Sequence, residues 1–397
     1  MASSDANLET LNSVVSNTVA LITQLETVIA EFASQKQKTN NDNVVATATT
    51  TPAPDALSLA HDSVVLIKAH ATKISLLIIN DPFTPTAIVK VLRDLTASPL
   101  PALVSAVQLC AAETYTKTIQ RDLAWQSGRV LRELKDLVSR IPSDGKILKG
   151  DKKTASAGSA AGKGSLAATG TLWAACDEVA AFAKRGYAGN LVRKVEQFRD
   201  TLKDVMEELK EWGEETGDDE DGDEEEDDGD DDEEVNQVSE ILAATQISDT
   251  QAMLDDLMNS QEYIPRDDPD KIRERLESCL KRLRLTTLLY QAIIKRRLKP
   301  LPHAPVPPTS TDSNNNSNIS ARLDEIIPLL AKIPERFGSL AMAFYELGPA
   351  EIDNLMDQCF FDAFAVSELL MKPWEQQKQK DEFTDWALKF QVEIKKP

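Results

Sequence analysis

Between Glu214 and Glu234, 17 of 21 residues are Asp or Glu and none is Lys or Arg, in a chain of 397 residues with a formal net charge of −21. Like charges this dense repel one another, and the run has no apolar residue whose burial could offset the entropy lost on ordering. A solvated, disordered linker is expected. It divides the chain into an N-terminal helical bundle over 1–212, the linker over 213–236 and a C-terminal helical domain over 237–397. Without the run, the other 376 residues carry a formal charge of −4, so the acidity is local. A polyanionic arm attracts basic proteins and repels nucleic acid phosphates and anionic membranes. Protein partners are therefore expected, with no direct nucleic acid and no membrane.

Apolar residues make up 42% of the chain, enough for two cores, while aromatics are only 5% and glycines number 15. Abundant Ala, Leu, Glu and Lys favour helix over sheet. The fold class expected is all-α, two helical-bundle domains separated by a disordered acidic linker. Cys110, Cys176, Cys279 and Cys359 lie far apart with no CxxC pair, which suggests neither a disulfide framework nor a zinc site and points to a reducing compartment. Met1 to Asp5 lacks the basic and apolar parts of a signal peptide. The nearest approach to a membrane span, Val64 to Ile79, is interrupted by Lys68, His70 and Lys73 and falls short of the roughly 18–20 residues required. Cytoplasm and nucleus are the expected locations.

Leu8, Leu11, Val15, Thr18, Ile22, Leu25, Ile29 and Phe32 recur at alternating steps of three and four, an a/d heptad series with one polar member. Such a helix is either a stave of an internal bundle or a zipper for another chain, and its apolar members are the first candidate partner-binding residues. Asp55 is placed to cap a helix that ends before Asp81-Pro82. Thr84-Pro85 and Ser98-Pro99 each set an N-cap hydroxyl before a proline at the first helical position. Leu103 to Val138 reads as one long helix or two joined near Ser127-Gly128. A Gly, Ser, Ala and Lys rich loop spans Ser143 to Ser165, and helices follow over about Leu166 to Lys184 and Gly189 to Trp212, with Gly186 as the C-cap between them.

Beyond the acidic run, Asp268-Pro269-Asp270 opens a helix to about Leu298, with Lys295, Arg296, Arg297 and Lys299 clustered at the negative end of its dipole. That cluster is the second candidate partner surface. It reads as a nuclear-import signal, a contact for the acidic run or a solvated helix end. Helices of about Ile319 to Leu347, Pro349 to Lys372 and Pro373 to Ile394 complete the chain. Pro328 and Pro334 predict a kink or break in the first of them, and Phe360, Phe361 and Phe364 are assigned to core.

The materials for catalysis are scarce. His61, His70 and His303 lie near no cysteine or carboxylate pattern that suggests a triad or a metal site. Gly158, Gly162 and Lys163 fail as a phosphate-binding loop: the gap between the glycines is one residue short, Gly164 stands where Ser or Thr must hold magnesium, and no strand precedes them. Around Gly222 and Gly229 the acidic run lacks the ligand spacing of an EF-hand. A non-enzymatic protein without cofactor, catalytic or metal residues is expected.

One stretch is less generic. Gly170-Thr171-Leu172-Trp173-Ala174-Ala175-Cys176-Asp177-Glu178-Val179, followed by Leu202-Lys203-Asp204-Val205-Met206-Glu207-Glu208-Leu209, resembles the cyclin-D1-binding protein family, also called Grap and cyclin-D-interacting or maternal Id-like proteins. The segments Cys279 to Leu288 and Leu323-Asp324-Glu325-Ile326-Ile327 are similar to it as well. Leu172, Trp173, Cys176, Asp177, Leu202, Lys203 and Leu209 carry the motif and are expected to be structural. The resemblance implies an all-helical, two-domain protein that binds D-type cyclins and helix-loop-helix factors and restrains cell-cycle entry. The loop Ser143 to Ser165, the dense acidic run and the helix Pro373 to Ile394 depart from the family pattern.

Three readings follow. The leading one is an interaction protein that negatively regulates cell-cycle progression or transcription through helical faces. The others are an acidic chaperone or scaffold for basic, histone-like clients bound by 214–234, and a vinculin-like helical-bundle adaptor.

Overall fold

A computed structural model describes residues 2–34, 55–147, 164–214, 263–301, 313–374 and 380–396. Every element among them is helical and none is a strand, as the all-α expectation requires. The acidic run from residue 215 on, most of the Ser143 to Ser165 loop and His303 lie outside the described residues. The chain packs as two compact units, Met1–Lys194 with Leu298–Ile327, and Val195–Arg297 with Pro328–Pro397.

The first unit opens with α1 (Ala2–Ala33), α2 (Ala56–Ile79), α3 (Pro85–Ala97), α4 (Pro99–Leu109), a single turn α5 (Ala112–Tyr115) and α6 (Lys117–Ser139). Helix α1 packs on α6 and α3, and α2 on α4 and α3. Asp55 caps α2 as expected, its carboxylate accepting from Ser58 N at 2.9 Å. Tyr115 OH donates to the same carboxylate at 2.5 Å. Proline does stand at the first position of α3 and α4, but neither Thr84 nor Ser98 makes the side-chain cap bond. Thr84 Oγ1 instead donates to Pro82 O at 3.0 Å.

The stretch Leu103 to Val138 is neither one long helix nor two joined near Ser127-Gly128: it is interrupted at Cys110 to Thr116. Thr116 has a φ of 81°, a left-handed value that interrupts a helix, and its hydroxyl caps the next one by accepting from Ile119 N at 3.3 Å. Ser127 is fully buried in mid-helix. Helix α1, rather than Val64 to Ile79, is long and apolar enough to cross a membrane by length and composition over Ala6–Ala33, an 18-residue stretch of it averaging a hydropathy of 1.3. Only its stripe of Leu11, Thr18, Ile22 and Ile29 is buried, as for a stave of a bundle.

Helix α7 (Ser165–Glu214) bends at Gly186, whose φ of 70° suits the residue expected to cap there. Asn190 secures the bend, donating from Nδ2 to Phe182 O and Gly186 O at 2.8 Å each. The remaining helices are α8 (Ile272–Ile293), which continues as a π-helical turn over Ile294–Leu298, α9 (Ser313–Tyr345), of which the part from Pro328 on lies in the second unit, α10 (Pro349–Leu369) and α11 (Glu382–Glu393). Asp268 receives the first free amides of α8, Ile272 N at 2.7 Å and Arg273 N at 2.9 Å. Arg275 forks onto Asp353 at 2.8 and 2.9 Å, and Arg282 lies 4.9 Å from the Phe360 ring centroid. Both pairs carry the same sequence offset, so α8 and α10 run parallel.

The two units do not divide at the acidic run. Leu202, Leu209 and Trp212 near the end of α7 are buried, and Trp212 meets Tyr345 edge-on at 5.3 Å, so these turns complete the second core. At the start of α9, Ser320 Oγ donates to Thr114 O at 3.0 Å and Asp324 accepts from Lys117 N at 2.9 Å, so that segment completes the first. Pro328 and Pro334 both stand inside α9, which begins at Ser313 rather than at about Ile319 and is not broken by them. The last helix starts at Glu382 rather than Pro373 because Asp381 caps it, accepting from Thr384 N at 2.9 Å.

Candidate interaction surfaces

The heptad residues of α1 serve the first unit. Leu11, Thr18, Ile22 and Ile29 are buried, while Leu8, Val15, Leu25 and Phe32 are half-buried. Lys135 of α6 pairs with Glu26, and Asn12 Nδ2 donates to Ser143 O at 3.2 Å. These contacts give the stave reading; a zipper for another chain would need this stripe uncovered.

The basic cluster divides in two. Lys295 and Lys299 are exposed, but the Arg297 side chain is only 2% exposed. Its guanidinium donates to Asp381 from Nη1 at 2.5 Å and from Nη2 at 3.0 Å, to Leu370 O from Nε at 2.9 Å, and lies 4.3 Å from the Phe383 ring centroid. Trp374 Nε1 donates to the Arg297 carbonyl at 2.7 Å. Partial burial pushes the Asp381 carboxyl up, but the hydrogen bonds from Arg297 and Thr384, with the Arg297 charge, outweigh it and hold it at about 2. Arg296 lies 3.7 Å from Glu382. Expected to form a surface patch, the two arginines instead tie α11 to the π turn, because that turn rotates Arg297 inward.

The family-motif residues also divide. Leu172, Cys176, Leu202 and Leu209 are buried. Burial, then the Asp177 charge, raise the Cys176 thiol to about 12 against the opposing pull of Lys68, so it is an inert core residue. Trp173, expected in core, is 38% exposed, and Lys68 bridges it to the motif. The ammonium lies 5.9 Å from the Trp173 ring centroid and donates to Asp177 at 2.6 and 2.8 Å. Lys203 stands 3.6 Å from Asp200 on the surface. In the second unit, Phe360 is buried as expected and Phe364 half-buried, but Phe361 is 69% exposed.

All four cysteines are free and buried. Among the described residues no group of three His, Cys, Asp or Glu could hold a metal ion. The charged cleft in the second unit, about 910 Å³ between Arg275, Lys281, Asp353 and Asp357, holds basic and acidic side chains together. Sequence reasoning passed over the exposed apolar side chains of the first unit, Val65, Leu66, Leu76, Trp125 and Leu166. Those on α2 escape a periodicity reading because α2 is apolar on several sides.

Residues 60–215 match the family model described as Grap2 and cyclin-D-interacting, N-terminal. That segment is similar to this family over about two fifths of the chain. It takes in the Gly170 to Val179 and Leu202 to Leu209 motifs, whereas Cys279 to Leu288 and Leu323 to Ile327 lie beyond it. An uncharacterized protein of Schizosaccharomyces pombe is 29% identical over 159 residues, which cover 40% of this chain and 44% of the relative. The similarity thus spans less than half of either protein.

Proposed function

We propose that this protein is a non-enzymatic interaction protein that restrains cell-cycle progression or transcription by binding a cyclin-like or helix-loop-helix regulator on its helical faces, in cytoplasm and nucleus. The observation that carries the reading is the match of residues 60–215 to a family whose description names cyclin-D interaction. The exposed aromatic and aliphatic side chains of that same segment support it, since aromatic residues on an otherwise closed helical unit are what a partner's side chains bury. No cofactor enters this mechanism: binding competes for a regulator and needs no bond-making chemistry. Affinity purification of the full chain tests it. Recovery of a cyclin, a cyclin-dependent kinase or a transcription regulator supports the reading, and recovery of none contradicts it.

The acidic run favours a second reading, a chaperone or scaffold for basic clients. Seventeen carboxylates in 21 residues would bind histone-like partners by charge. Binding of a basic client that survives deletion of 214–234, or that ignores ionic strength, removes it.

A further inference from the structure

On α6, Arg121, Trp125, Arg129 and Arg132 fall at steps of four, four and three, which places them on one stripe of the helix over roughly 16 Å of its length. The stripe faces solvent. Trp125 is 57% exposed, Arg132 is exposed, and Arg121 and Arg129 are partly so. Arg129 is joined to Glu178 at 2.6 Å. Among the described residues no carboxylate pairs with Arg121 or Arg132. Of the acids beside them on α6, Asp122 is engaged by Lys194 at 2.7 Å and Asp136 by Arg140 at 3.0 Å, while Glu133 is half-buried next to Arg132.

A tryptophan left mostly in water among guanidinium groups contributes little to its own unit. Leu123, Ala124, Val130, Leu131, Leu134 and Leu137 already fill the inward faces of α6. Tryptophan and arginine are the side chains most concentrated at protein interfaces, where a central aromatic supplies buried area and flanking charges set register and choice of partner. The stripe is also a local exception in a chain of net charge −21. Its local positive field selects an acidic surface, and a helix matches the helical spacing of the stripe better than a flexible polyphosphate does.

We propose that this stripe docks an acidic amphipathic helix of a partner protein, in which an apolar anchor covers Trp125 and Asp or Glu residues, one turn to one side and two turns to the other, meet Arg121 and Arg132. The inference rests on the interaction reading above and names the chemistry of the partner's contact face.

The test uses the full chain and three labelled probes in fluorescence anisotropy. One is a 20-residue helical peptide with a central Leu and Glu at four residues before and at four and seven residues after it. The second is the same peptide with Lys in place of Glu, and the third a single-stranded oligonucleotide. The Glu peptide is expected to bind, with affinity falling at least tenfold in Trp125→Ala and in Arg121→Glu with Arg132→Glu, little in Trp125→Phe, and not at all in the control Lys73→Glu on α2. Circular dichroism and Tm verify that each variant is folded. The proposal is overturned if the Glu peptide fails to bind, if the α6 variants bind it as well as the wild type does, if the Lys peptide binds equally, or if the oligonucleotide binds more tightly through the same residues.

Affinity purification with the same variants separates the two claims. A wild-type chain that recovers a regulator, and an Arg121→Glu with Arg132→Glu chain that recovers it equally, overturns this surface and leaves the function standing. A wild type that recovers none overturns the function, whatever the peptides show.

Discussion

Replacing Asp381 with alanine strands the charge of Arg297 in the second core. The Arg297 side chain is 2% exposed, and Asp381 accepts from both its Nη1 and its Nη2, leaving main-chain carbonyls such as Leu370 O as the remaining acceptors. Removing one partner of a buried ion pair costs about 3–5 kcal/mol because the other charge is left uncompensated. Loss of the α11 cap, where Asp381 accepts from Thr384 N and Thr384 Oγ1, adds about 1 kcal/mol. Arg297→Met should cost less, because Asp381 lies near enough to solvent, at 26% exposure, to be hydrated once its partner is gone. Urea unfolding of the full chain followed by tryptophan fluorescence reads both variants, since Trp374 bonds the Arg297 carbonyl and Trp386 packs near Phe383. Asp381→Ala should lose about 4–6 kcal/mol and Arg297→Met clearly less. If Asp381→Ala costs under about 1 kcal/mol, or Arg297→Met costs as much as it does, the clamp argument is wrong.

The same carboxyl gives a pH prediction. A native value of about 2 against an ordinary carboxylate value near 3.9 means that its contribution is complete above about pH 4 and is lost as pH falls toward 2, which acid titration of Tm should show for the wild type and not for Asp381→Ala. Ile22→Ala on the buried stripe of α1 should cost about 2–4 kcal/mol in urea unfolding, whereas a free zipper helix would lose almost nothing. Phe361→Ser, at a position 69% exposed, should change stability by less than about 0.5 kcal/mol, and a loss near 3 kcal/mol would return that side chain to the core. Asp177→Ala should cost under about 1 kcal/mol in the same assay, because its pair with Lys68 is exposed to water.

The helices that could be read from sequence were those with both a periodic face and a local stop signal. Asp55 at the start of α2, Gly186 at the bend of α7 and Asp268 before α8 work as their residue types suggest, since a short side-chain acceptor or a residue free to take positive φ acts within a few residues of chain. Thr116 was missed because a threonine at a φ of 81° carries no signature in the sequence. The ends of α7 and α9 were assigned to the wrong unit because Trp212 and Ser320 find their partners far along the chain, beyond the reach of periodicity. Arg297 looked like a surface cation until the π turn placed it inside. Of the candidate surfaces, the arginine spacing about Trp125 was legible at helical steps, but its exposure was not, since an apolar residue on an amphipathic helix is ordinarily assigned to the buried side.

On the proposed function, this protein acts by binding a regulator of the cell cycle or transcription. Affinity purification of the full chain from its native cells, with bound proteins identified by mass spectrometry, tests it most directly. A cyclin, a cyclin-dependent kinase or a helix-loop-helix factor recovered at stoichiometric level, and retained when residues 214–234 are deleted, is the predicted result. Recovery of basic clients alone, lost with that deletion, would contradict it.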